Sequence, residues 1–149
     1  MPQLEFRCAL PGVSQKAIWD FHRDPGVLTR LTPPEKGVSL VRPPARMEEG
    51  AIVTLRFRQF GLPITWVSRI AEWTEPSGFV DVQESGPFHR WRHEHIFSAG
   101  ELLDRVDYEV PLSMLGGRLA EKLMVRPDLE RMFAFRHAVT REALLGKGI

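Results

Sequence analysis

Two histidines, His93 and His95, stand one residue apart in the run Trp91-Arg92-His93-Glu94-His95-Ile96-Phe97. In a strand that spacing puts both imidazoles on one face, side by side. A pair so placed can share a metal ion, or can exchange protons with a substrate when a carboxylate orients it. A mononuclear metal site needs a third ligand, for which Asp81 and Asp107 are the candidates. A histidine pair alone does not specify a metal. The expectation is that the two rings are hydrogen-bonded in a polar pocket, or that one lies at the sheet edge, with no metal and no cofactor. Asp81 would then supply an Asp–His pair for acid/base work.

A second anomaly lies near the end of the chain. Between Asp128 and Leu145 the apolar residues recur with helical period. At about 100° per residue, Leu129, Met132, Phe133, Phe135, Val139 and Ala143 are expected on one broad arc. Arg136 falls inside that arc, between the directions of Met132 and Phe133. A guanidinium in a dry interior is very costly without a partner. Either Arg136 snorkels, its stem covering apolar surface, or it faces an interior cavity and pairs with Asp81 or another carboxylate there. No nucleophile is signalled. Cys8 lies on the apolar face of its strand and reads as a small core residue. The chain has no G-x-S-x-G, no phosphate-binding glycine loop and no G-x-G-x-x-G.

These residues must be positioned by the elements around them. Residues 4–10 alternate apolar and polar, the period of a half-buried strand. Residues 15–22 form a short helix capped by Ser14, and a second runs from Asp24-Pro25 through Leu31. Six strand signals follow, at 38–42, 51–60, 64–73, 79–84, 90–97 and 101–110, joined by hairpin-like turns such as Gly61-Leu62-Pro63 and Gly86-Pro87. On 90–97 the face carrying Trp91, His93, His95 and Phe97 should point inward. On 79–84 hydrophobicity alone favours Val80, Val82 and Glu84 inside, which would leave Asp81 and Gln83 outside. After a break at Leu115-Gly116-Gly117, Leu119, Leu123 and Met124 suggest a first helical piece, and Pro127 opens the long last helix. The order predicts an α+β fold: one curved antiparallel sheet of about seven strands with a long helix laid across it.

Composition sets the limits. The chain has 149 residues, with 20 basic and 19 acidic residues and a net charge of +1. That is the size of one domain with a sizeable core, here 1–149. It lacks the basic excess of a nucleic-acid binder. One cysteine excludes an internal disulfide. No apolar run reaches the length of a membrane span, so no stable membrane insertion is expected. The first residues do not have a signal-peptide layout. A cytoplasmic protein, monomeric or homodimeric, is the expectation.

Three runs resemble the SRPBCC superfamily (START, Bet v 1, polyketide cyclase), most closely its bacterial ligand-binding or cyclase/dehydrase-like branch. They are Phe79-Val-Asp81-Val-Gln83-Glu-Ser-Gly86-Pro87-Phe88, Trp91-Arg-His93-Glu-His95-Ile-Phe97 and Asp104-Arg-Val106-Asp-Tyr108-Glu-Val110-Pro111. The later Leu129-Glu-Arg-Met-Phe133-Ala-Phe135-Arg136 is similar to the same branch. The resemblance implies a helix-grip fold, with a deep cavity between sheet and helix. It implies that the Asp81/Gln83 face lies beside the Trp91/His93/His95 face, and that Arg136 completes a buried Asp/His/Arg/Gln network. Members bind lipids, sterols, polyketides and plant hormones, and some catalyse cyclisation or dehydration.

The expectation for function is therefore a small hydrophobic or aromatic ligand held in an internal cavity. Trp66, Trp91, Phe97, Tyr108, Met132 and Phe133 would form its apolar walls. Asp81, Gln83, His93, His95 and Arg136 would orient a polar group. Loops at Pro33-Pro34, Gly86-Pro87 and Gly116-Gly117 would gate access. The alternative is a cyclase or dehydratase with His93 or His95 as base, Asp81 orienting it and Arg136 stabilising an enolate-like anion. A third possibility is an interaction module working through its surface, which the near-neutral charge and short apolar runs do not favour.

Overall fold

In the computed structural model, which describes residues 3–111 and 118–146, the apolar alternation resolves into one antiparallel sheet. Its strands are β1 (Gln3–Ala9), β2 (Ser39–Val41), β3 (Ile52–Gln59), β4 (Leu62–Thr74), β5 (Gly78–Ser85), β6 (Arg90–Ser98) and β7 (Glu101–Glu109). The spatial order is β1-β7-β6-β5-β4-β3-β2, so β1 closes onto the last strand and every other neighbour is a sequence neighbour. Two short helices, α1 (Gln15–His22) and α2 (Val27–Arg30), separate β1 from β2. At the end of the chain α3 (Arg118–Ala120) and a π-helical turn (Glu121–Val125) lead into α4 (Arg126–Leu145). None of the described helices is long and apolar enough to cross a membrane. The break expected at Leu115-Gly116-Gly117 lies outside the described residues.

Local sequence explains the element ends. Ser14 accepts a hydrogen bond from the Ala17 amide and so caps α1. The β3–β4 hairpin turns on Phe60 and Gly61, at φ 51° and 79°. Two left-handed residues make the tight turn whose twist suits a hairpin. Leu62 and Pro63, expected in the connection, therefore belong to β4. Pro63 pairs with Arg58 of β3, beyond the stretch of β4 that pairs with β5, so its missing N–H leaves no ladder bond unmade. Register shifts at Val67/Ser68 and Ile70/Glu72 interrupt the β4–β5 ladder. Such bulges increase local twist and bend the sheet around α4.

The core divides into two apolar clusters. One holds Cys8, Leu10, Ile18, Trp19, Ile70, Phe79, Phe97 and Leu102, with Leu144 and Leu145 of α4 packed against it. The other holds Trp91, Val106, Tyr108, Val125, Leu129 and Phe133. The helix buries Leu129, Phe133 and Thr140, whereas Ala143, expected on the inner arc, is exposed. The buried strip follows the i, i+4 line through Val125, Leu129 and Phe133. Leu119, Leu123 and Met124 are helical as expected but exposed.

Gly78 sets a tight constraint. Its φ is +144°, and a Cβ there would meet the His95 carbonyl oxygen at 1.8 Å. Gly78→Ala is expected to cost about 3 kcal/mol or more. Gly50, at φ +88° with open space around it, should cost only about 1–2 kcal/mol as alanine. Urea denaturation compares the two, and equal losses would contradict the close approach.

Candidate functional site

Between the two apolar clusters, β5, β6, β7 and α4 bring a polar group of residues together. Strand alternation on β6 points Trp91, His93, His95 and Phe97 inward, as expected, and all four are buried. The imidazoles of His93 and His95 stack with centroids 3.7 Å apart, and Phe79 stacks on the far side of His95 at 4.0 Å. On β5 the cavity face carries Phe79 and Asp81. This corrects the inward assignment of Val82 and Glu84 from hydrophobicity, because Asp81 is partnered inside while Glu84 ion-pairs outside with Arg69. Val80 is nevertheless buried.

Two carboxylates bracket the imidazole pair. Asp81 Oδ2 lies 2.7 Å from His95 Nε2 and 3.7 Å from His93 Nδ1, and the Ser68 hydroxyl donates to Asp81 Oδ1 at 3.3 Å. On the opposite edge Asp104 Oδ1 lies 2.7 Å from His93 Nε2 and 3.6 Å from His95 Nδ1. Asp104 Oδ2 is 2.7 Å from Nε2 of His137, on α4. The cross-strand partners in register are His93 with Asp81 and His95 with Asp104, so the short bonds run diagonally across the sheet.

Burial alone would raise the pKa of both carboxyls. For Asp81, the His95 hydrogen bond and the charges of His93, His95 and Arg136 outweigh it and hold the pKa below the usual value. For Asp104, hydrogen bonds from His137 and His93 hold it well below. Desolvation, then repulsion from His93, lowers His95 against the pull of Asp81. His22, its Nδ1 2.8 Å from the Ile18 carbonyl, is pushed down to about 4, chiefly by desolvation. Both carboxylates are therefore ionised at neutral pH, and His22 is neutral.

Arg136 enters this chamber from α4. Its Nε is buried without a hydrogen-bond partner. Its guanidinium lies 5.4 Å from the centroid of the Phe133 ring. The expected pairing with Asp81 or another carboxylate does not form: histidines and Ser68 occupy both carboxylates. Desolvation lowers the pKa of Arg136, and the fields of Asp104 and Asp81 oppose it.

A cavity of about 280 Å³ opens from these groups between sheet and helix. Trp66, Asp81, Trp91, His93, His95, Met132 and Arg136 all line it. Trp66 meets Trp91 edge-on at 5.0 Å. Four expected contacts do not reach it. Gln83 turns away, donating to the Phe88 carbonyl at 2.7 Å and accepting from its amide at 3.1 Å, which pins the β5–β6 loop. Phe97 packs in the cluster around Trp19. Phe133 stacks on Phe6 at 4.5 Å. Tyr108 is fully buried and donates to Glu121 at 2.6 Å. The three aromatic residues face inward, but at a depth where a neighbour already covers them. Of the expected gates, Pro87 lines the cavity, Pro33-Pro34 is flanked by the lining residues Thr32 and Lys36, and Gly116-Gly117 lies outside the described residues.

Sequence reasoning missed Asp104, His137 and Ser68 as members of the network. Asp104 carried a signal, since it alternates with Leu102, Val106 and Tyr108 on an otherwise apolar face. Asp107, the rival metal ligand, is on the outer face and accepts from Gln3 at 2.8 Å. Asp81, His93 and His95 offer one oxygen and two nitrogens within 4.8 Å of one another, a donor set able to hold a divalent cation. Each also has a hydrogen-bonding partner inside the network.

A bent antiparallel sheet gripping a long C-terminal helix over a lined cavity is a helix-grip fold. Solved structures share it along nearly the whole chain. The ginseng major latex-like protein 151 from Panax ginseng matches with a TM-score of 0.68 and 12% identity, over 96% of this chain and 97% of its own. The protein TTHA0849 from Thermus thermophilus matches at 0.67 and 16% identity, over 95% and 99%. The Zhui aromatase/cyclase from Streptomyces sp. R1128 matches at 0.65 and 16% identity, over 99% of each chain. No protein-family model and no curated protein matches the chain. The fold is thus the helix-grip fold that the sequence resemblance implies, shared with these solved structures.

Removing a network carboxylate should be far costlier than removing its outward-facing neighbour. Asp104→Ala strands two imidazole edges in the interior and should cost about 3 kcal/mol. Asp107→Ala on the outer face should stay within about 0.5 kcal/mol. Similar urea midpoints for the two variants would contradict the assignment.

For His22, the unfolded chain takes up its proton near pH 6.5 and the folded protein only near about 4. The unfolded state therefore binds more protons in that window, and stability falls as pH falls through it, by up to about 3 kcal/mol from this group. The lowered Asp81 and Asp104 act in the same direction at lower pH. His22→Leu should flatten the upper part of the profile, and a wild-type urea midpoint unchanged between these limits would refute the assignment.

Proposed function

We propose that the protein binds a small hydrophobic or aromatic molecule in the cavity between sheet and α4, with Asp81, His93, His95 and Arg136 orienting its polar group. One observation carries this reading. The interior holds about 280 Å³ of lined space, walled by Trp66, Trp91, Leu55, Phe57 and Met132, with the Asp–His–Arg group converging on it. Small-molecule sites characteristically combine an apolar wall with a few convergent polar groups. The volume is at the lower end of such sites, which points to a compact ligand rather than a long-chain lipid.

A catalytic version has its own support. The Asp81–His95 pair, at 2.7 Å, and the surplus donors of Arg136 face the same chamber. A base beside a cation is the equipment for removing a proton next to a carbonyl and holding the resulting enolate. One structural neighbour is described as an aromatase/cyclase. A fold hosts many activities, and this one accommodates that chemistry in the neighbour.

Binding is tested with the neutral fluorophore N-phenyl-1-naphthylamine. Its fluorescence should rise on addition of the folded protein, and saturating probe should raise the melting temperature. Leu55→Trp, which fills the cavity from β3, should weaken binding tenfold or more while the protein stays folded. Unchanged binding in Leu55→Trp would place the probe elsewhere and remove the support for this cavity.

A further inference from the structure

We infer that Arg136 is the anchoring point of the cavity and that the ligand it serves is a monocarboxylic acid with a flat apolar body. The inference rests on the cavity-binding reading above and adds the class of head group.

The charged groups around Arg136 all have partners. Asp81 is held by His95 and Ser68, and Asp104 by His93 and His137. The other cation on the cavity wall, Lys36, pairs with Asp128 at 3.1 Å. Arg136 alone has none among the described residues: its Nε is buried and unbonded, and no ion pair reaches its guanidinium. Its guanidinium carbon lies 5.4 Å from the centroid of the Phe133 ring. A buried donor left unmade costs the full desolvation of that group, and more when it is charged. The helix also carries His137 at the next position, and that side chain, not Arg136, takes the free oxygen of Asp104. The arginine is left facing the cavity with a planar donor fork and no acceptor among the described residues.

A ligand carboxylate completes that arrangement. Its two oxygens match the guanidinium fork, forming short charge-assisted bonds in a water-poor site. A monoanion fits better than a phosphate dianion, because Asp81 and Asp104 stand in the same chamber and repel a second negative charge. The body is flat because the wall beyond the polar end is aromatic, with Trp66, Trp91 and Phe88 packed within 5.7 Å of one another by centroid. Arg136 also borders a second cavity of about 30 Å³, beside Asp104 and His137. That space suits a single water, which is the rival partner for the guanidinium and would give no preference for acids.

Calorimetric titration of the full chain with 2-naphthoate and with 2-naphthamide separates the possibilities. The two probes share shape and differ in charge. The acid should bind at least tenfold more tightly. Arg136→Met should reduce its affinity to that of the amide, and Arg136→Lys should keep part of the preference. Arg136→Gln, which retains hydrogen-bonding capacity without charge, serves if the Met variant does not fold, and should likewise lose the preference. Equal affinity of the two probes, or an acid preference surviving without Arg136, would overturn the inference and leave the cavity reading standing. If only N-phenyl-1-naphthylamine binds, the acid class is wrong. If no probe binds the folded protein, the cavity reading fails and takes this inference with it.

Discussion

Two ionised carboxylates inside an apolar interior are the constraint on which the rest depends. Neither can stay there unpaired, because the desolvation of a buried charge exceeds the net worth of most contacts in the fold. Asp81 comes from β5 and Asp104 from β7, and the stacked imidazoles of β6 lie between them. The network therefore ties three adjacent strands through their side chains, and His137 extends it to α4. A register slip of one residue on β6 would turn both imidazoles to the outer face and strand both acids. The pairing of the central strands and the docking of the last helix answer to the same requirement.

The network also explains why the helix does not fill the sheet. Each element that crosses the interior carries an apolar, polar, apolar band in the same spatial order. On β6 it is Trp91, then His93 and His95, then Phe97. On β7, read backwards, it is Tyr108 and Val106, then Asp104, then Leu102. On α4 it is Leu129 and Phe133, then Arg136 and His137, then Leu144 and Leu145. The outer bands make the two apolar clusters that clamp the helix to the sheet at either end. The middle bands cannot pack as a dry layer, since charged groups need partners and donor geometry rather than close apolar contact. The bulges in β4 add local twist to the sheet, and the hollow is lined from β3, β4, β5, β6 and α4.

Much of this order is legible in the sequence. The period of two in residues 90–97 puts His93 and His95 together, and the misplaced charge of Arg136 marks the helix face that meets them. The element order and the inward face of β6 follow from alternation alone. Depth does not. Phe97, Tyr108 and Phe133 share a face with cavity residues but lie under neighbours, because alternation tells a side chain's direction and not what stands above it. Gln83 has the right face and a polar group, yet a local bond to the Phe88 backbone claims it. His137 was hidden because the buried strip of α4 is rotated from the arc that apolar residues define: Thr140 is fully buried and Ala143 exposed. Hydropathy favours Val82 over Asp81 on β5 because it scores a carboxylate as if no partner awaited it.

Charge accounting within the chamber links binding to chemistry. With Asp81 and Asp104 ionised and His22 and His95 disfavoured as cations by burial, Arg136 is the permanent positive charge at the polar end of the hollow. A permanent cation there does two things with one geometry. Under the proposed reading it would hold a group that arrives negatively charged, and it would stabilise one that becomes negative when a proton leaves. On the same reading the Asp81–His95 pair would decide between them through the ligand: a molecule with no acidic hydrogen near that imidazole would be retained, whereas one presenting such a hydrogen would meet a base oriented by a carboxylate. A binding protein and an enzyme built on this frame would differ in what enters the chamber rather than in how its polar end is made.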